Sequence, residues 1–149
     1  MQKAKEIMTA TVVTVPPEMP VERLAALLHE KKISGAPVVD AAGQLLGVVT
    51  ESDLIDQAKK IHIPTAITIL DSVIFLESAK AVEREISKMT GATVADICSR
   101  NPVTIREETP LDEIATIMAE RQFHTLPVLR GAQLVGVVGK SDVIKTLAR

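Results

Sequence analysis

Tryptophan and tyrosine are absent, phenylalanine occurs twice and cysteine once in 149 residues. Each scarcity excludes something. One cysteine closes no internal disulfide, so a disulfide-framed secreted scaffold is ruled out. With two aromatic rings there is almost nothing on which unpaired bases could stack, the usual device of single-strand nucleic-acid binders. Charge of one sign is missing as well: 17 Lys and Arg stand against 19 Asp and Glu, a formal charge of −2. Nucleic-acid binders and polybasic membrane-surface proteins carry a clustered basic excess. Long apolar runs are lacking too. The longest charge-free apolar stretch, IHIPTAITIL at 61–70, is followed by Asp71, whereas a spanning helix needs about 20 apolar residues. The N-terminus, MQKAKEIMTA, has no apolar signal core. The expectation is a soluble, intracellular, cytoplasmic protein with no membrane or nucleic-acid partner.

What is present is aliphatic. The chain is 46% apolar, and Val, Ile, Leu and Ala must make the core. β-Branched runs alternating with Ala/Leu-rich segments point to a mixed α and β fold. The dominant feature is an internal repeat. Residues 7–39 align with 97–129: Ile7 with Ile97, Val13 with Val103, Glu18 with Glu108, Pro20 with Pro110, Pro37 with Pro127. One residue then drops out in a turn, where a duplication tolerates a gap. Beyond it Gly47-Val48-Val49 matches Gly136-Val137-Val138, and Ser52-Asp53 matches Ser141-Asp142.

Each unit reads as strand–helix–strand–strand–helix. TVVTV (11–15) and PVTI (102–105) are expected as short strands. Helices follow Pro20 and Pro110, residues suited to a first turn, with Val21, Leu24, Ala25 and Leu28, or Leu111, Ile114, Ala115 and Met118, expected inward. APVVD (36–40) and LPVLR (126–130) are strands. Glycine-containing turns lead to the strands LLGVVT (45–50) and LVGVVG (134–139). In the last helices Leu54, Ile55 and Ala58, or Val143, Ile144 and Leu147, are expected to face inward. The organisation is repeat 1 at 1–60, a joining segment at 61–93 and repeat 2 at 94–149. In the joiner, Ser78 is a candidate N-cap for a helix near 78–90, which packs on its own module or makes a dimer contact.

The ordered set of strand, helix, "x-x-Pro-Val-hydrophobic" strand, "Gly-Val-Val" strand and "Ser-Asp-hydrophobic", present twice, resembles tandem cystathionine-β-synthase (CBS) domains, the pair called a Bateman module. The match covers 4–60 and 94–149. The resemblance implies an α/β (α+β) fold in which two β-α-β-β-α units pack through their sheets and leave two clefts. It also implies binding of adenosine-containing ligands there, dimerisation into flat discs, and regulation of a protein that the sequence does not identify.

The chemistry of those clefts is expected to centre on Asp53 and Asp142. A carboxylate accepts hydrogen bonds from both hydroxyls of a ribose, and charge-assisted bonds are the strong ones. The Thr50 hydroxyl and the first N–H groups of the following helix suit a phosphate. By the resemblance, one cleft combines Thr50, Ser52 and Asp53 with Cys98, Val103, Phe123, His124 and Thr125. The other combines Gly139, Ser141 and Asp142 with Met8, Val13, Ile33, Ser34 and Gly35. Gly139 replaces the expected hydroxyl, and a lost hydrogen bond to a charged group is worth roughly 1.5–3 kcal/mol. The Asp53 cleft is therefore expected to be the tighter one. His124, Arg100, Arg121 and Lys140 are candidate phosphate contacts.

A plainer alternative stands for the same residues. Thr50-x-x-Asp53 is also a capping-box pattern, Ser141 and Asp142 also complement a helix dipole, and His124 also reads as an ordinary hydrogen-bonded side chain. Three functions compete with ligand sensing. The first is a dimerising scaffold with empty clefts. The second is catalysis, for which His29, His62 and His124 are scattered and form no set; an enzyme is not expected. The third is nucleic-acid binding, disfavoured by the charge. No cofactor and no metal site is expected. AMP, ADP or S-adenosylmethionine is favoured over a fully extended ATP.

Overall fold

The computed structural model describes residues 1–60 and 91–148, and the joiner helix expected near 78–90 lies outside them. The first half contains α1 (Ala4–Ile7), α2 (Val21–Lys31), β1 (Gly35–Val39), β2 (Leu45–Thr50) and α3 (Glu51–Lys60). The second contains α4 (Val94–Ile97), β3 (Ile105–Arg106), α5 (Leu111–Arg121), β4 (Thr125–Arg130), β5 (Gln133–Gly139) and α6 (Lys140–Leu147). β1 and β2 form an antiparallel pair, with Pro37 opposite Val48. In the second half β3–β4–β5 form a sheet in which β4 and β5 are antiparallel and β3 is parallel to β4.

The first expected strand is corrected in both halves. Segment 11–15 is not a strand. Val15 alone makes a parallel bridge to Val38, through Val15 N–H to the Pro37 carbonyl and Val39 N–H to the Val15 carbonyl, both 3.0 Å. Pro16 and Pro17 follow, and neither has an N–H with which to extend the ladder. Arg106 stands where the first half has Pro16, and there the ladder gains a residue as β3. Residues 102–104 are not strand.

α2 and α5 follow the 3.6-residue period. Leu24 and Ile114, equivalent in the repeat, are fully buried, as are Leu28 and Met118 nearly so. Ala25 and Ala115 are exposed rather than inward; Leu27 and Ile117 pack against the cores instead. Both helices stop at a residue in the left-handed region, Lys32 (φ 55°) and Gln122 (φ 57°). After Lys32 the Ile33 N–H returns to the Leu28 carbonyl at 3.1 Å, which satisfies an otherwise orphaned acceptor.

The short helices α1 and α4, unexpected from the sequence, cross between halves. Ala4 is buried with Ile105, Ile114, Leu126, Val128 and Val138 of the second half. Val94 is buried with Val15, Leu24, Ala36, Val38 and Val49 of the first. Backbone pairs fasten the exchange: Thr9 with Val137 at 2.8 and 3.0 Å, and Ser99 with Val48 at 2.9 and 3.0 Å. Lys3 and Lys5 also reach Glu108, at 2.6 and 2.8 Å. Each half thus lends its opening turn to the other's core, which fixes their relative position.

The faces of α3 and α6 are corrected as well. Leu54 and Val143 pack inward. Ile55, Ile144 and Leu147 are 67%, 55% and 76% exposed, and Ala58 is exposed too.

Candidate functional site

Packing the two halves through β1 and β4 leaves two cavities side by side. At the contact, a methyl group on Gly35 would stand 2.6 Å from Thr125 Oγ1 and 3.0 Å from the Val49 carbonyl oxygen. Only glycine admits this approach.

The first cavity, about 330 Å³, sits at the junction of β2 and α3. Thr50, Ser52 and Asp53 line one side; Val103, Phe123, His124 and Thr125 of the other half line the opposite side. These seven expected residues come together. Cys98 does not join them. It packs partly buried against the Val15–Val94 core, where burial pushes its thiol pKa up. Its neighbour Ser99 lines the cavity in its stead. The second cavity, about 300 Å³, brings together Gly139, Ser141 and Asp142 with Val13, Ile33, Ser34 and Gly35. Met8 does not line it. It packs against the second-half core, where a methyl on Gly136 would meet its Sδ at 2.5 Å.

Both carboxylates also act as helix caps. Asp53 Oδ2 accepts hydrogen bonds from Thr50 N–H (2.8 Å) and Thr50 Oγ1 (3.1 Å). Asp142 Oδ2 accepts one from Gly139 N–H at 2.7 Å, and its Oδ1 accepts one from Thr9 Oγ1 at 3.3 Å. An ionised carboxylate has about four acceptor sites. Each Asp therefore caps its helix and keeps capacity for a ligand hydroxyl. Capping and ligand binding are compatible here.

Of the candidate phosphate contacts, Lys140 lines both cavities and His124 the first. Arg100 and Arg121 line neither. Arg100 Nη2 donates to the Ala95 carbonyl at 3.2 Å, and Arg121 lies 5.6 Å from the Phe123 ring centre. Four residues form a wall common to both cavities: Ser34, Glu51, Thr125 and Lys140. Glu51 and Lys140 are the first residues of α3 and α6. Their N–H groups bond the Ser34 and His124 carbonyls at 2.8 and 3.2 Å.

Sequence reasoning missed Glu51 and Lys32, the latter in the second cavity. The repeat register was the available signal: Glu51 aligns with Lys140, and Lys32 with Gln122, which lines the first cavity. Among the described residues, no group of three or more His, Cys, Asp or Glu side chains could hold a metal ion. No described helix is long and apolar enough to cross a membrane.

A duplicated unit, closed by exchanged opening turns and holding two cavities between its halves, can be compared with known proteins. The CBS domain matches residues 4–60 and, again, 94–149. The chain belongs to the CBS-domain family. It carries the domain twice, as a tandem CBS pair. The chloroplastic CBS domain-containing protein CBSX2 of Arabidopsis thaliana is 29% identical over 136 residues, covering 88% of this chain and 56% of that protein. CBSX1 of the same plant is also 29% identical. The chain thus spans little more than half the length of these curated relatives. The crystal structure of CBSX2 in complex with AMP superposes with a TM-score of 0.73 at 26% identity, covering 99% of this chain and 96% of that one. A CBS-domain protein from Agrobacterium tumefaciens gives 0.73 and 26%, covering 98% and 99%.

Proposed function

We propose that this CBS pair is a regulatory module that binds an adenosine-containing ligand, an adenine nucleotide or S-adenosylmethionine, between its two halves, and is not itself an enzyme. The observation that carries the reading is the pair of clefts. In each, a carboxylate at the start of a closing helix shares the cavity with apolar residues contributed by the other half. That arrangement suits a ribose held at one end and a base slotted at the other. AMP in the CBSX2 complex supports the ligand class. Because each cleft is built from both halves, a ligand bridges them. It shifts their arrangement by the difference in its affinity for the two shapes. The regulated protein, and a cytoplasmic setting, belong to the same proposal.

Thermal unfolding with AMP, ADP, ATP, S-adenosylmethionine and NAD tests it. A ligand at about 100 times its Kd adds about 2.7 kcal/mol. For a chain of this size that is a rise of roughly 5–11 °C at 2–4 °C per kcal/mol. Asp53→Ala combined with Asp142→Ala should abolish the rise, measured from the variant's own midpoint. No rise with any of these compounds on the unaltered chain would refute the reading.

A second reading, homodimerisation, is favoured by the exposure of Ile55, Ile144 and Leu147. Light scattering of the unliganded protein checks it, with a dimer mass expected.

A further inference from the structure

The two clefts are not electrostatic twins. Among the described residues, the Asp142 cleft is lined by two cations, Lys32 and Lys140, and two carboxylates, Glu51 and Asp142. The Asp53 cleft is lined by one Lys, Lys140, and by His124, against Glu51 and Asp53, so it holds one lysine fewer than the other. The difference sits at one repeat-equivalent pair, Lys32 and Gln122. Both residues end their helices in the same left-handed conformation, φ 55° and 57°. They therefore present different side chains from the same backbone.

The hydroxyl that favours the Asp53 cleft in sequence is already committed. Thr50 Oγ1 donates its proton to Asp53 Oδ2 at 3.1 Å, so it offers a phosphate an oxygen lone pair rather than a hydrogen. Lys140 belongs to the wall common to both clefts and is a single positive charge. A phosphate that draws it into the Asp142 cleft leaves Glu51 and Asp53 facing no lysine in the other.

We propose that the pair takes one phosphorylated adenosine ligand per chain, in the Asp142 cleft with Lys32 and Lys140, and leaves the Asp53 cleft to an uncharged adenosine compound. Charge, not cleft shape, does the sorting. The assignment rests on the adenosine-binding reading above and adds to it a division of labour between the clefts.

Titration calorimetry with AMP and with adenosine separates the two claims. On the unaltered chain, AMP should bind at one site per chain, and adenosine should still bind once AMP is saturating. Lys32→Gln should weaken AMP about tenfold, the equivalent of 1.4 kcal/mol, and move adenosine by less than twofold. Gln122→Lys, which copies Lys32 onto a backbone already in the conformation Lys32 adopts, should create a second AMP site. Both residues are exposed, and a thermal melt confirms that each variant folds. Two equal AMP sites on the unaltered chain, or an AMP affinity untouched by Lys32→Gln, would overturn the division while leaving adenosine binding intact. Failure of both AMP and adenosine to bind would overturn the functional reading and this one with it.

Discussion

Replacing Gly47 with alanine should cost far more than replacing its repeat equivalent, Gly136. A methyl on Gly47 would fall inside contact distance of the Ser99 carbonyl oxygen and 3.1 Å from its carbon, with the Arg100 Cα at 3.4 Å. Those are backbone atoms, and they belong to the segment after α4 that pairs with Val48 through two hydrogen bonds of 2.9 and 3.0 Å. Relief requires that the segment withdraw from β2. Two backbone bonds are then lost, at about 1 kcal/mol each, along with part of the burial of Val94. A cost of about 2–4 kcal/mol follows, within the range of the larger single-residue effects. At Gly136 the nearest atoms are the Sδ and Cγ of Met8, at 2.5 and 3.0 Å, and the one backbone atom, the Thr9 carbonyl oxygen, stands farther off at 3.2 Å, a gap that a shift of a few tenths of an ångström relieves. A methionine side chain rotates away, so about 1 kcal/mol is expected. Urea unfolding of the two variants side by side measures the difference. Ser99 and Val48 also line the Asp53 cleft, so Gly47→Ala should blunt adenosine binding there. Equal costs for the two substitutions, or a larger one at Gly136, would refute the account of how the opening turns are exchanged.

Leu24→Ala and Ile114→Ala, both at fully buried positions, should each cost about 2–5 kcal/mol in urea unfolding; they sit in separate clusters, so the double variant should come close to the sum. Ile144→Asp should lower the mass seen by light scattering from dimer to monomer without lowering the melting temperature of the monomer, because that side chain is exposed. Glu108 is held down from 4.5 to about 2 by hydrogen bonds from Lys3 and Lys5. A depressed carboxylate stabilises in full above its unfolded value and loses that contribution as pH falls through the folded one. The stability advantage of the unaltered chain over Glu108→Gln should therefore be present above about pH 4.5, vanish by about pH 2, and shrink in added salt because the pair is exposed.

Where a segment's neighbours are its own sequence neighbours, the structure was legible in the sequence. Helical periodicity located α2 and α5, and the Pro-Val and Gly-Val-Val patterns located β1, β2, β4 and β5 to within a residue or two. What failed depended on distant partners. α1 and α4 have four residues each, too few for a period, and their apolar side chains are buried by the opposite half. Strand 11–15 looked β-forming because its Val and Thr are branched. Its partner, however, is the cavity, which Thr11, Val12 and Val13 line. The clefts themselves were anticipated through the resemblance to tandem CBS domains, which implies that each carboxylate faces the other half's residues; the repeat register by itself aligns equivalent residues without saying which of them meet. Lys32 was missed because a residue just past a helix end belongs to no periodic pattern, and its repeat equivalent, Gln122, carries no charge to draw notice.

The closing helices show a different kind of failure. Apolar residues at helical spacing were assigned inward in α3 and α6, yet only Leu54 and Val143 reach a core. These helices have ten and eight residues, and each starts at the cleft, where its first turn is committed to polar work by the Asp cap. That fixes the rotation of the helix. Ile55 and Ile144 then point away from the core because each lies one residue, about 100°, past the position that packs. The same positions are exposed in both halves, so the exposure follows from the duplicated geometry rather than from a local irregularity. Rotating either helix to bury its isoleucine would withdraw the carboxylate from the cleft. An apolar outer surface is thus the physical consequence of a helix whose inner end is held at the ligand site. A second copy bringing the same strip would present the self-matching surface that a two-fold interface requires.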